Sequence, residues 1–151
     1  MQNSRIPIDR LKAALEARRE VLFAYLFGSG YTGRRHKLSD VDVGVFVDWS
    51  KCEDHGESQT EIESWGHLCA ALQDALGRDD VDVVLLHRAP PLLAERVIRN
   101  GTVIFSRDEA RRIRWIVDTK NRYCDTRFLR RMLDETLSDR VRSGRFGYGN
   151  G

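Results

Sequence analysis

Apolar positions change their period several times along the chain, and each change marks an element. Ile8, Leu11 and Leu15 recur at helical spacing, with Lys12, Glu16 and Arg18 between them. That pattern predicts an amphipathic helix over Pro7–Arg19, with the proline in its first turn. The continuous run Val21-Leu22-Phe23-Ala24-Tyr25-Leu26-Phe27 then stops at Gly28-Ser29-Gly30. A short, aromatic-rich apolar segment of this kind reads as a buried strand. Asp40 to Val47 alternates instead, with Val41, Val43, Val45 and Val47 on one side and Asp40, Asp42 and Gly44 on the other. This is a second strand. Ile62, Trp65, Leu68, Cys69, Leu72 and Leu76 return to helical spacing, and Gly77 is a stop signal. Val81-Asp82-Val83-Val84-Leu85-Leu86 is a third strand. Leu92, Leu93, Val97 and Ile98 predict a short helix opened by Pro90-Pro91 and closed by Asn100-Gly101, and Thr102 to Phe105 an edge strand. From Asp108 a long charged helix is expected to reach Leu137, with a break near Cys124.

The order is helix, strand, strand, helix, strand, helix, strand, helix. Tyr31 to Ser39 and Asp48 to Gln59 are polar and read as loops. The first two strands are joined by a short connection and can be neighbours. The expectation is an α/β (α+β) fold in which a small mixed β-sheet is flanked by helices. Residues 1–107 would form the domain, 108–142 a charged C-terminal helix packed on it or extending from it, and 143–151 a flexible, glycine-rich tail.

Composition narrows the setting. At 151 residues the chain suits one domain, and 41% hydrophobic with 32% charged residues is enough apolar content for a core. No apolar run approaches the ~18 residues of a membrane-spanning helix. No apolar signal-peptide region follows Met1. Cys52, Cys69 and Cys124 are an odd, scattered set without a C-x-x-C pair, which disfavours a disulfide scaffold or zinc ribbon and fits the cytoplasm. Net charge is only +2, from 25 basic and 23 acidic residues, so this is no polycation that coats nucleic acid. Basic residues do crowd the stretch from Arg111 to Arg131, interleaved with Trp115, Tyr123 and Phe128. Asp108, Glu109, Asp118, Asp125 and Asp134 dilute that charge. A partner-docking face or an ordinary solvated helix is preferred to direct nucleic-acid binding.

The chemistry lies elsewhere. Asp40 and Asp42 project from the same face of one strand. Asp82 sits forty positions later inside another apolar strand. If the strands are adjacent, the three carboxylates converge, repel one another, and call for a cation. Oxygen-only ligands favour Mg²⁺ or Mn²⁺ over zinc. Two such ions ~4 Å apart form the usual clamp for nucleotidyl transfer. Gly28-Ser29 follows directly on a buried strand. There glycine allows close backbone approach, and backbone N–H groups with the serine hydroxyl can cradle phosphate oxygens. Ten residues separate Ser29 from Asp40, giving G-S-x(10)-D-x-D.

The segment Leu26-Phe27-Gly28-Ser29-Gly30 through Ser39-Asp40-Val41-Asp42-Val43 resembles the signature of the polymerase-beta-like nucleotidyltransferases. The short chain, the early motif and Val81-Asp82-Val83-Val84-Leu85-Leu86 followed by Ala89-Pro90-Pro91-Leu92 resemble the minimal nucleotidyltransferases (MNT) in particular. The likeness extends over about Leu11 to Phe105. It implies that Asp40 and Asp42 bind the metal escorting ATP, that Asp82 joins them at a second Mg²⁺ where the acceptor hydroxyl loses its proton, and that Gly28 and Ser29 hold the phosphates. It further implies an antitoxin that transfers AMP to a tyrosine of a HEPN ribonuclease toxin. Many members carry arginine just after Gly-Ser; here Gly30-Tyr31 intervene, and Arg34 and Arg35 follow later in the loop. Two alternatives stand beside this reading: nucleotidyl transfer to a small hydroxyl compound such as an aminoglycoside, and a non-catalytic antitoxin that acts by binding alone. The remaining candidates have plainer readings. His36, His55, His67 and His87 lack metal spacing, Trp65 and Trp115 suit core or interface, and Ser29 lacks the G-x-S-x-G frame of a hydrolase nucleophile.

Overall fold

The chain alternates between segments that can bury two faces and segments that can bury one, and the architecture follows from this. The computed structural model describes residues 6–28, 41–52 and 60–142. Ser29, Tyr31, Arg34, Arg35, His36, Asp40 and His55 lie outside the described residues, as do most of the second polar stretch and the tail 143–151. The elements are α1 (Ile8–Glu16), β1 (Val21–Phe27), β2 (Val41–Val47), α2 (Glu61–Leu76), β3 (Val81–Leu85), α3 (Pro91–Asn100), β4 (Thr102–Ser106) and α4 (Glu109–Arg142). Single 3₁₀ turns span Trp49–Lys51 and Leu86–Arg88.

The four strands form one mixed sheet in the order β3-β2-β1-β4. β1 runs antiparallel to β2 and β4, and β2 runs parallel to β3. β4 is an edge strand, as its short pattern predicts. The apolar alternation sorts side chains between the two faces. Val41, Val43, Val45 and Val47 join Leu11 and Leu15 of α1 and Leu68, Leu72 and Leu76 of α2 in one cluster. Phe23, Tyr25, Phe27 and Phe46 join Ala94 and Val97 of α3 and Trp115 of α4 on the opposite face. The continuously apolar β1 is buried at every position because helices cover both of its faces. The core therefore has two halves, one on each side of the sheet, as a sheet flanked by helices requires.

Local chemistry sets the helix ends. Thr60 and Glu63 close a capping box at the start of α2, and Gly77 ends that helix at φ +64°. Pro91 occupies the first turn of α3. Two details depart from the sequence expectation. α4 passes through Cys124 without a break and ends at Arg142, because no glycine or proline interrupts it. In α2 the buried stripe is Ser64, Leu68, Leu72 and Leu76, which leaves Ile62 77% and Trp65 38% exposed.

At 1.5 Å per residue α4 is about 51 Å long, longer than the sheet it packs on. Trp115 and Thr119 are buried, with the Trp115 ring tilted against Phe23 and Tyr25 at 5.5 and 5.7 Å. The Arg112 guanidinium donates to the Tyr25 hydroxyl at 2.9 Å. Further along, Leu129, Met132, Leu133, Leu137 and Val141 are exposed. No helix among the described residues is long and apolar enough to cross a membrane.

Candidate active site

The parallel pairing of β2 and β3 sets Asp42 directly beside Asp82. Side chains at paired positions of adjacent strands leave the sheet on the same face, so the two carboxylates stand side by side. On the other flank of β2, Phe27 of β1 is the antiparallel partner of Asp42. The next residue, Gly28, turns the chain at φ +100°, a backbone state that side-chain-bearing residues rarely adopt. A Cβ placed there would lie 2.9 Å from Asp42 Cγ and overlap its Oδ2. Glycine is thus required twice, for conformation and for room. Gly28, Asp42 and Asp82 come from three strands, and all line one cleft of about 950 Å³.

The cleft has a second wall that sequence reading missed. Leu93, Arg96, Arg99 and Asn100 of α3 face the carboxylates across it. Arg96 and Asn100 stand in an ordinary amphipathic pattern. Only the packing of α3 over the carboxylate face of the sheet gives them a site, so no local signal could have flagged them.

α3 is held in place by a buried acid. Glu95 is 4% exposed; one carboxylate oxygen accepts from Lys120 Nζ of α4 at 2.7 Å and the other from Arg99 at 2.7 Å. The Lys120 hydrogen bond, joined by that of Arg99 and opposed by desolvation, holds the Glu95 carboxyl below its ordinary pKa. The Arg99 guanidinium, together with Arg130, also lowers the pKa of the Tyr123 phenol on α4. Arg99 therefore links the cleft wall to the long helix.

Of the sequence-derived site residues, Gly28, Asp42 and Asp82 meet in this cleft, while Ser29 and Asp40 lie outside the described residues. Among the described residues no group of three or more His, Cys, Asp and Glu side chains gathers to hold a metal. The described part contributes a pair of hard oxygen donors, Asp42 and Asp82. His67 is exposed on α2. His87 is half-buried and packs edge-on against Phe46, and burial lowers its pKa.

A model of the family described as polymerase beta, nucleotidyltransferase, matches residues 9–110. Among solved structures, a toxin-antitoxin with AMP-PNP has a TM-score of 0.65 at 24% identity, covering 87% of this chain and 98% of that chain. The toxin-antitoxin MntA-HepT gives 0.61 at 22% identity, covering 87% and 96%. A tri-AMPylated Shewanella oneidensis HEPN toxin in complex with MNT antitoxin gives 0.62 at 21% identity, covering 89% and 98%. The likeness to these structures is one of fold. No curated protein matches the chain by sequence.

Proposed function

The chain belongs to the polymerase-beta nucleotidyltransferase family, and from that membership we propose that it transfers AMP from ATP to a tyrosine of a HEPN-type toxin, acting as the antitoxin of the pair. One observation carries the chemical part: Asp42 and Asp82 stand side by side on parallel strands, with Gly28 pressed against Asp42 at the mouth of the same cleft.

The donor set fits a divalent cation. Two adjacent carboxylates repel unless a positive charge sits between them, and oxygen ligands suit Mg²⁺ or Mn²⁺. Asp40 and Asp42, with Asp82, would hold it. When bound, the ion neutralises charge on the triphosphate. The chain's own groups do the rest. The backbone at Gly28 and Ser29 cradles the phosphates, and glycine is what lets them come close. Arg96 and Arg99 face the anionic substrate from α3 and offset the acidic floor. Asp82 orients the acceptor hydroxyl and takes its proton. The acceptor oxygen then bonds to the α-phosphorus while the bond to the β-phosphate oxygen breaks, and pyrophosphate leaves with the electron pair. The use of ATP suits a cytoplasmic protein.

The toxin as acceptor is supported by the fold likeness to MNT–HEPN complexes. The test is co-expression with the product of the adjacent reading frame, followed by intact mass spectrometry. Added AMP units that vanish with Asp42→Asn bear out the reading. An unmodified partner, or normal labelling by Asp42→Asn, refutes it.

A further inference from the structure

We infer that the apolar groove between α2 and α3, along the outer edge of β3, seats the acceptor segment of a protein substrate and delivers an aromatic hydroxyl to Asp82. The inference rests on the nucleotidyl transfer proposed above and says where its second substrate enters.

The groove is separate in character from the cleft and adjoins it. It encloses about 350 Å³ between Ile62 and Trp65 of α2, the edge of β3, and Pro90 and Leu93 at the start of α3. Val83, Val84 and Leu93 line both spaces, so the two adjoin along β3, whose Asp82 lines the cleft. The cleft presents two carboxylates and two arginines. In the groove the charged residues are Glu61 and Arg88, and these are ion-paired to each other. A triphosphate belongs at the charged end. The apolar end offers walls without a free charge, which suits an aromatic ring whose hydroxyl lies at the polar junction.

The rim points to a macromolecule. Ile62 is 77% exposed and Trp65 38%, one turn apart on α2. Neither side chain belongs to either core cluster. A small hydroxyl compound inside the groove would leave the rim in water, whereas a protein surface would cover it, and exposed tryptophan is the residue type that anchors such contacts. β3 pairs with β2 alone among the described residues, so its outer edge also offers backbone groups to an extended segment. In the transfer, the phenol oxygen of the acceptor bonds to the α-phosphorus, its proton passes to Asp82, and pyrophosphate departs from the opposite, arginine-lined side.

The test uses the full chain with ATP, Mg²⁺ and the product of the adjacent reading frame. Ile62→Asp and Trp65→Ala are expected to keep the melting temperature within a few degrees and the affinity for ATP within about twofold, and to slow AMP transfer at least tenfold. Ile62 replaced by benzoyl-phenylalanine should crosslink to the acceptor on irradiation. Transfer at the wild-type rate in both variants, or loss of ATP affinity in Trp65→Ala, which would make the groove a nucleobase site, overturns the inference while leaving the transferase reading intact. Crosslinking without any AMP transfer by the wild-type chain keeps the docking face and refutes the transferase reading. Absence of both refutes the two together.

Discussion

Asp42 of β2 and Asp82 of β3 are register partners across a parallel pair. Thirty-nine residues of intervening chain, including the whole of α2, are folded back so that two like charges meet. Two carboxylates held side by side repel each other and suit a bound divalent cation. Asp42→Asn is therefore expected to lower AMP transfer by at least about 100-fold. Mg²⁺ should raise the melting temperature of the wild type and not of the variant. Calorimetry with and without Mg²⁺ checks this.

Gly28 meets two constraints at once, a φ of +100° and contact with the Asp42 carboxylate. Gly28→Ala should cost on the order of 1–3 kcal/mol from backbone strain and displace Asp42, with transfer reduced to background. Gly77 is also at positive φ but has open space around it. Gly77→Ala should lower stability by a comparable strain cost and leave transfer unchanged. Denaturant melts beside activity assays separate the two effects.

The Glu95 carboxylate ties α3 to α4 through Lys120, with Arg99 of its own helix on the other oxygen, and its pKa is lowered. A depressed carboxyl stabilises the fold fully above its unfolded pKa, and this contribution fades as pH falls through the folded value. Glu95→Gln is expected to cost about 1–2 kcal/mol near neutrality, less than a fully buried pair because Lys120 and Arg99 remain largely solvent-accessible. The gap between wild type and variant should close as pH drops below the ordinary carboxylate range. Chemical denaturation from pH 7 down to acid conditions measures it.

α4 has two different halves. Trp115 is 5% exposed among Phe23 and Tyr25, so Trp115→Ala should destabilise the domain by roughly 3–5 kcal/mol. Leu133 is 62% exposed, and Leu133→Ala should change stability by less than about 0.5 kcal/mol. Thermal melts of the two variants decide the point.

Much of this molecule is legible in its residues. Every strand was marked by its apolar period. The helices were marked by spacing and by stops at Gly77 and Gly101. Gly28 with Asp42 was marked by the G-S-x(10)-D-x-D frame, because a phosphate cradle and a carboxylate pair need those residue types within one strand-turn-strand unit. The expected break near Cys124 was absent, since a cysteine offers no backbone reason to end a helix. Ile62 and Trp65 fit the helical period of α2 yet fall outside its buried stripe, because periodicity gives the width of an apolar face and not what covers it.

What the sequence determined alone is the set of elements and the acidic positions on two of its strands. Those properties are local: periodicity, turn residues and donor type act within a few positions. The tertiary structure alone decided that Asp82 stands beside Asp42, that Arg96 and Arg99 line the cleft, that Glu95 ties α3 to α4, and that an apolar groove adjoins the cleft. Each of these depends on strand order and on which helix covers which face. Strand order and helix placement follow from the burial of two apolar faces by the whole chain at once, which no window of residues encodes.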